Sequence, residues 1–381
     1  MQLDKNLLPT TKVESWKYTN LSSIYDKNGI NETLLESLQA KDYLEGFKFD
    51  TQENVVIILD GVLAIDYNNK LTHISNLDFN QDTRAMSKLA IENSKSFAVN
   101  IPKDTKDQLS LIFINTENAK HKLTNIALKL NVDMFASLDL DVDFVNLTDE
   151  TAINLFLDVD VAESAKVNFT NCADNENNAK LITTANYLVN LDKAAEFNGF
   201  NLLNKDGLLR NDFTVNLNKE LSRFDIRGLY LLNDTATANA CFLVNHNASN
   251  TYSNVNFKGV VNGSAKAWFN AKAVVNKDIE QIQAYQSNKN IQLSKKAEIN
   301  TKPELEIYSD DVVCTHGATV GELDKDALFY LQSRGLTLQD AQHLLLEGFV
   351  KAQLTSDNFP FENEVIEGMV ESLESVLDSI I

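Results

Sequence analysis

The chain has 381 residues, 44% of them hydrophobic, and a formal net charge of −20, enough to bury a large core in one elongated domain or two to three compact ones. So acidic a surface disfavours nonspecific binding to nucleic acid or to an anionic membrane, because that binding needs clustered Lys and Arg. Three scattered cysteines, Cys172, Cys241 and Cys314, make no CxxC pair and no disulfide framework, the pattern of a reducing compartment. Met1 to Pro9 holds no apolar run of signal-peptide length and no segment approaches the roughly 20 apolar residues of a membrane span, so a cytoplasmic location is expected.

Residues 1–122 read as a small N-terminal α+β cap. Asn31 is placed to cap a short helix through Leu34, Leu35 and Leu38, and Thr83 to Asn93 has amphipathic helical spacing. Between them Val55 to Leu59 and Val62 to Ile65 flank Asp60-Gly61, a strong hairpin turn.

From 123 to 320 the apolar period becomes two. Ile126, Leu128, Leu130 and Val132 alternate with mostly polar neighbours; Leu138, Leu140, Val142 and Phe144 are separated by Asp139, Asp141 and Asp143; Leu155, Leu157, Val159 and Val161 repeat the pattern. These are strands with one buried face. Small-residue corners recur at Ser164-Ala165, Ala194-Ala195, Leu221-Ser222, Ser264-Ala265 and Lys296-Ala297, a loose spacing compatible with the coils of a solenoid. Asn is abundant and Pro nearly absent, which suggests turn positions in left-handed geometry. A parallel β-helix and a twisted β-sandwich both fit. The acidic rows Asp139, Asp141, Asp143 and Asp158, Asp160 lack the Gly-rich repeat of calcium β-rolls and read as a solvated face. His73, His121 and His343 stand alone; His246 sits in a strand-like stretch, and Cys172 and Cys241 read as small packed side chains.

The most informative segment, Lys302 to Gly321, ends in Val312-Val313-Cys314-Thr315-His316-Gly317. Alternation puts the thiol of Cys314 and the imidazole of His316 on one strand face, half a metal site at most, since a closed site needs about four ligands. By spacing alone the commoner arrangement is a packed thiol and a histidine bonded to a turn carbonyl.

Residues 321–381 read as helical. Asp324 caps a helix that ends at Gly335, and Thr337 with Asp340 imitates a capping box for the next, where Leu338, Ala341, Leu345, Gly348, Phe349 and Ala352 share a face. After Pro360 a last helix is expected through Ile366, Met369, Val370, Leu373, Val376, Leu377 and Ile380. Such stripes are more often core than partner grooves.

Cys314-Thr315-His316-Gly317 with the helix Leu323 to Leu336, the block from Phe257 through Trp268-Phe269-Asn270 to Asn290, and Glu14-Ser15-Trp16-Lys17-Tyr18-Thr19-Asn20 together resemble the SufB/SufD family of iron-sulfur cluster assembly scaffolds, in its SufD-type pattern. The similarity covers the last third and that short N-terminal motif. It implies a mainly β fold, a right-handed parallel β-helix core with a small N-terminal α+β region and a C-terminal helical region. It implies a non-catalytic scaffold pairing with SufB and with SufC, an ABC-type ATPase, around a transient iron-sulfur cluster shared with SufB, no cofactor being tightly bound by the isolated chain. Carried over, His316 is the ligand-like residue and Cys314 an interface thiol beside it, while Phe329, Tyr330 and Arg334 are the docking residues for SufC. Gln332 stands where the family usually has Arg.

Two other readings compete. One is a SufB-like chain that carries the cluster alone as a homodimer. The other is a β-helix polysaccharide-acting enzyme whose acidic rows hold calcium, against which the lack of an export signal argues. No G-x-x-x-x-G-K-[ST] loop and no G-x-G-x-x-G after a strand is present, so ATP hydrolysis is assigned to the partner and Rossmann-type dinucleotide binding is not expected.

Overall fold

The computed structural model describes residues 2–31, 33–34, 54–73, 77–172, 179–204, 206–354 and single positions between 361 and 380. Twenty strands occur in it. The first six are β1 (Thr33–Leu34), β2 (Val55–Leu59), β3 (Val62–Asp66), β4 (Leu71–His73), β5 (Ser96–Ile101) and β6 (Lys106–Asn115). Next come β7 (Lys122–Val132), β8 (Ser137–Asn146), β9 (Ala152–Val161), β10 (Lys166–Cys172), β11 (Leu181–Leu191), β12 (Glu196–Leu203) and β13 (Gly207–Leu217). The last are β14 (Arg223–Leu232), β15 (Thr237–His246), β16 (Tyr252–Val261), β17 (Lys266–Val275), β18 (Ile282–Gln292), β19 (Glu298–Ile307) and β20 (Val312–Gly321). Four α-helices accompany them: α1 (Leu21–Lys27), α2 (Ala85–Glu92), α3 (Lys325–Ser333) and α4 (Leu338–Lys351).

From β5 onward odd strands build one sheet and even strands the other, every neighbouring pair parallel. The chain therefore alternates between two facing sheets and advances one rung per circuit: a parallel β-solenoid. The period-two pattern supplies its inside. Leu138, Leu140 and Val142 of β8 face Ile153, Leu155 and Leu157 of β9 in one continuous core, with Phe169, Phe197, Phe213, Phe224, Phe242 and Phe257 stacked along it. The sheets extend N-terminal of residue 123, since β5 pairs with β7 and β2 pairs in parallel with β6.

Corners form at the small-residue sites. Ser164 and Ala194 adopt positive φ (57° and 53°), and the alanine that follows each is buried and donates its N–H back across the turn, Ala165 to Ala162 O and Ala195 to Asp192 O, each at 3.1 Å. Only an alanine-sized residue fits there between rungs. Asparagine serves a different end from the one its abundance suggests. Asn250 is the only asparagine with positive φ between 123 and 320 among the described residues. Many stack in ladders from rung to rung: Asn190 Nδ2 donates to Asp160 Oδ1 at 2.9 Å, Asn216 to Asn190 at 2.8 Å and Asn245 to Asn216 at 2.9 Å. A parallel, in-register sheet repeats one residue type at one height, so carboxamides satisfy one another.

The hairpin turn forms as expected, with Asp60 and Gly61 at φ 49° and 79°. The Asp60 carboxylate takes the Thr116 N–H at 2.7 Å and its hydroxyl at 2.6 Å. Helix α2 occupies the expected 83–93 stretch. The helix expected after Asn31 is not seen at Thr33 and Leu34, which pair in parallel with β7; its remainder lies outside the described residues. Asp158 is not on a solvated face: it is fully buried, bonded by the Asn80 N–H at 2.8 Å, because the segment before α2 covers that row. At the other end Leu346 and Val350 of α4, with Met369, Leu373, Leu377 and Ile380, pack on Phe200, Leu229, Leu231 and Val260 outside the even sheet. The last stripe is core, but α4 buries Ala341, Leu346 and Val350 and not the whole expected stripe: Leu338, Gly348 and Ala352 are exposed and Leu345 and Phe349 half-buried, because the helix turns its Leu346–Val350 side to the sheet.

Candidate functional site at the open last rung

Among the described residues strand β20 pairs only with β18, and β19 only with β17, so both sheets end here in edges that no described strand covers. Backbone N–H and C=O groups that would bond a further rung are presented to solvent along two ten-residue strands. Val313, Val320, Ile307 and Tyr308 are exposed around them. A flat, long, partly apolar edge of this kind is a template for another chain's strand.

Register fixes where His316 stands. It lies beside Gln286 of β18, which lies beside Val255 of β16, a core residue. Partnered residues of parallel strands share a face, so His316 belongs to the inward row, as does Cys314 beside Ala284. No rung follows, and the imidazole is exposed. The polypeptide holds it at the solenoid's mouth, over the end of its own interior.

That interior changes character here. Aromatic and aliphatic residues give way to Gln286, Asn288 and Asn290, all buried. Gln286 Nε2 donates to Glu304 O across to β19 at 3.2 Å, while its Oε1, at the position neighbouring His316, is buried and unbonded. Asn288 Nδ2 donates to Tyr230 Oη at 3.0 Å and Asn290 Nδ2 to Thr319 O at 3.0 Å. A core ending at an open rung needs such a polar, internally bonded closure, because unbonded buried groups are costly.

Cys314 is half-buried against Val275, Ile279, Ile282 and Val312, and burial pushes its thiol pKa up, partly opposed by the Ala284 backbone. The isolated chain therefore presents a thiol and not the low-pKa thiolate that readily ligates iron. Among the described residues no three His, Cys, Asp or Glu come together in a metal-holding group. Cys314 and His316 share one face of β20, and no third such residue among the described ones joins them in a group.

Phe329, Tyr330 and Arg334 gather just beyond β20. Asp324 caps α3 by accepting from Asp326 N and Ala327 N at 2.9 and 3.1 Å, and none of the helix's residues is buried. Phe329 is 73% exposed and Tyr330 57%, with the Arg334 guanidinium 5.3 Å from the Tyr330 ring centre.

The family description "SUF system FeS cluster assembly, SufBD core domain" matches residues 113–349. The chain belongs to the SufBD core family. The solenoid from β7 onward and the open last rung fall within the matched span, which runs into α4; β5 and most of β6 precede it. Over 371 residues the chain is 27% identical to the iron-sulfur cluster assembly protein SufD of Escherichia coli, covering 93% of this chain and 86% of that protein. It is 35% identical over 121 residues to SufD of Bacillus subtilis, 32% of this chain and 26% of that one. A Synechocystis SufBD family protein is 37% identical over 142 residues, 37% of this chain and 31% of its own. No helix among the described residues of this SufBD family chain is long and apolar enough to cross a membrane.

Other histidines have local duties. His121 Nδ1 meets Gly29 O at 3.0 Å, and His343 lies 3.8 Å from Glu347. His246 is wholly buried, bonded to Thr251 Oγ1 and Ser253 Oγ. The buried polar row Gln286, Asn288, Asn290 escaped sequence reasoning, although its signal was there: three amides at period two in an otherwise apolar register.

Proposed function

We propose that this chain is a non-catalytic scaffold subunit of the SUF assembly machinery, acting on a nascent iron-sulfur cluster as cargo. The observation that carries the reading is the exposed His316 imidazole on an uncovered ten-residue edge strand. An edge that adds a partner's strand brings the partner's side chains against His316 and Cys314, completing a ligand set that this chain only begins. Neutral imidazole is a suitable iron ligand, and its exposure leaves a ring nitrogen accessible for one. In this reading the partner at the edge is SufB, the cluster is transient and shared with it, and Phe329, Tyr330 and Arg334 dock SufC, which supplies ATP hydrolysis. Aromatic and Arg side chains exposed together on one unburied helix have the composition of an interface anchor. The solenoid winds right-handed, as crossover connections between parallel strands overwhelmingly do, and the protein works in the cytoplasm.

The second reading, a homodimeric scaffold, has the same support, because an uncovered edge accepts a second copy of itself. Anaerobic reconstitution with iron and sulfide separates the two. The SufB-dependent reading expects a chromophore only when SufB and SufC are present; a stable chromophore on the isolated chain overturns it in favour of the homodimer.

A further inference from the structure

On the outer face of the odd sheet, well away from His316 in the register, parallel pairing lines up Arg210, Asn239, Trp268 and Asn300 on β13, β15, β17 and β19. The segment Glu14–Thr19 crosses over this row. Trp16 lies under the Arg210 guanidinium at 3.6 Å, Tyr18 stacks on Trp268 at 5.0 Å and 21°, and Glu14 pairs with Lys302 at 2.5 Å. Between roof and floor is a cavity of about 230 Å3, too large for a single water and below the roughly 300 Å3 at which drug-sized sites begin.

The floor is not satisfied by the protein. Asn239 is completely buried, and neither its Nδ2 nor its Oδ1 has a hydrogen-bond partner; the buried Trp268 Nε1–H has none either. Leaving three such atoms unbonded costs more than any apolar side chain of the same shape would. Amides elsewhere in this solenoid also keep unbonded atoms, Asn125 Nδ2 and Asn168 Oδ1 among them, but here Asn239 and Trp268 bring theirs together in the lining of one cavity. Arg210 is spent on Asp212, two bonds at 2.7 and 2.8 Å. Beyond that pair the lining charges are Lys17 and Lys302 against Glu14.

Two unbonded donors and one unbonded acceptor, beside two ammonium groups and under an aromatic roof, describe the ligand. A carboxylate meets the indole N–H and the Asn239 N–H with Lys17 favouring its charge, Lys302 being already paired with Glu14 and Glu304; a neighbouring ammonium or hydroxyl meets Asn239 Oδ1. We propose that the cavity binds a small carboxylate bearing an adjacent hydrogen-bond donor, an amino acid or hydroxy acid, on Trp268 Nε1 and the Asn239 carboxamide beneath Tyr18.

Trp268 lines the cavity, Trp16 packs on Arg210 at its edge, and they are the chain's two tryptophans, so fluorescence excited at the red edge of indole absorption, where tyrosine does not absorb, follows this region. The full chain is titrated with L-glutamate, L-serine, L-malate and L-lactate, and with acetate and glycerol, which lack the donor and the carboxylate respectively, each up to about 10 mM, which saturates a millimolar site. A saturable emission change with at least one of the four, and none with acetate or glycerol, is expected. Asn239→Leu, checked for folding by its thermal melt, should weaken that binding about tenfold or more, the worth of one buried hydrogen bond; should this variant fail to fold, Trp268→Phe keeps the stack and removes the donor, with Trp16 still reporting. No saturable change with any of the four, or equal binding by the variants, overturns the proposal and leaves a hydrated cavity only. Neither result touches the scaffold reading, whose residues lie on β20 and α3.

Discussion

Tyr230 of β14 lays its ring over Gly259 of β16 and hydrogen-bonds Asn290 of β18, two strands away. A side chain at position 259 would separate them. The backbone approach that glycine allows lets an aromatic ring from the apolar core anchor the amides that close it, and so holds β18 in place under the β20 edge.

Gly259→Ala should therefore destabilise the chain by about 1–3 kcal/mol, because the added Cβ falls far inside contact distance of the Tyr230 ring and of Asn290 Oδ1. Urea unfolding measures it. In the Tyr230→Leu background the same substitution should cost much less, and equal costs in both backgrounds would show the ring is not the obstacle.

His316→Ala should leave stability within about 0.5 kcal/mol of the parent, since the residue is exposed. Co-purification with SufB and SufC should persist while cluster assembly by the complex is lost. Normal assembly by the variant complex would remove His316 from the site.

Val313→Lys and Val320→Lys put charges on the open edge, at residues 55% and 45% exposed. Edge lysines oppose strand addition without disturbing the monomer. Thermal melting should show an unchanged fold, and size-exclusion chromatography loss of association with SufB. Undiminished association would place the interface elsewhere.

The pH dependence of stability should carry a mark of His246. Burial holds its pKa down at about 4 against 6.5, and its ring nitrogens lie 2.7 and 2.9 Å from Thr251 Oγ1 and Ser253 Oγ. An unfolded chain takes up this proton near pH 6.5 while the folded chain resists until about 4. Stability is therefore full above 6.5 and falls as pH drops through that window, by about 3 kcal/mol in all. His246→Gln, compared with the parent by urea melts at pH 7 and near pH 4, should show a shallower decline; parallel curves would contradict the assignment.

Cys314 should alkylate slowly at neutral pH, since burial raises its thiol pKa. Mass spectrometry at that position after timed exposure to a maleimide reads the rate. Unfolding in urea should accelerate it, and a folded-state rate equal to the unfolded one would mean the thiol is not desolvated.

Much of this was legible in the residues themselves. Alternation in Leu138 to Phe144 announces a strand with one apolar face, Asp60-Gly61 announces a hairpin, and Cys314 with His316 puts a thiol and an imidazole on one strand face, because period, backbone freedom and side-chain chemistry are local properties; that β9 is buried on both faces is not written in its alternation. Local properties could not tell a solenoid from a sandwich, since both bury every second residue. Nor could they say that the asparagines are rungs of ladders, that Asp158 is buried, or that Asn239 lies across from Trp268, each of which depends on residues some thirty positions apart meeting in register. Sequence by itself determined which side chains alternate inward and what chemistry His316 carries; only the tertiary structure decided that the inward row runs out at β20, leaving that imidazole uncovered, because whether a strand has a neighbour is a property of the whole stack and of no segment within it.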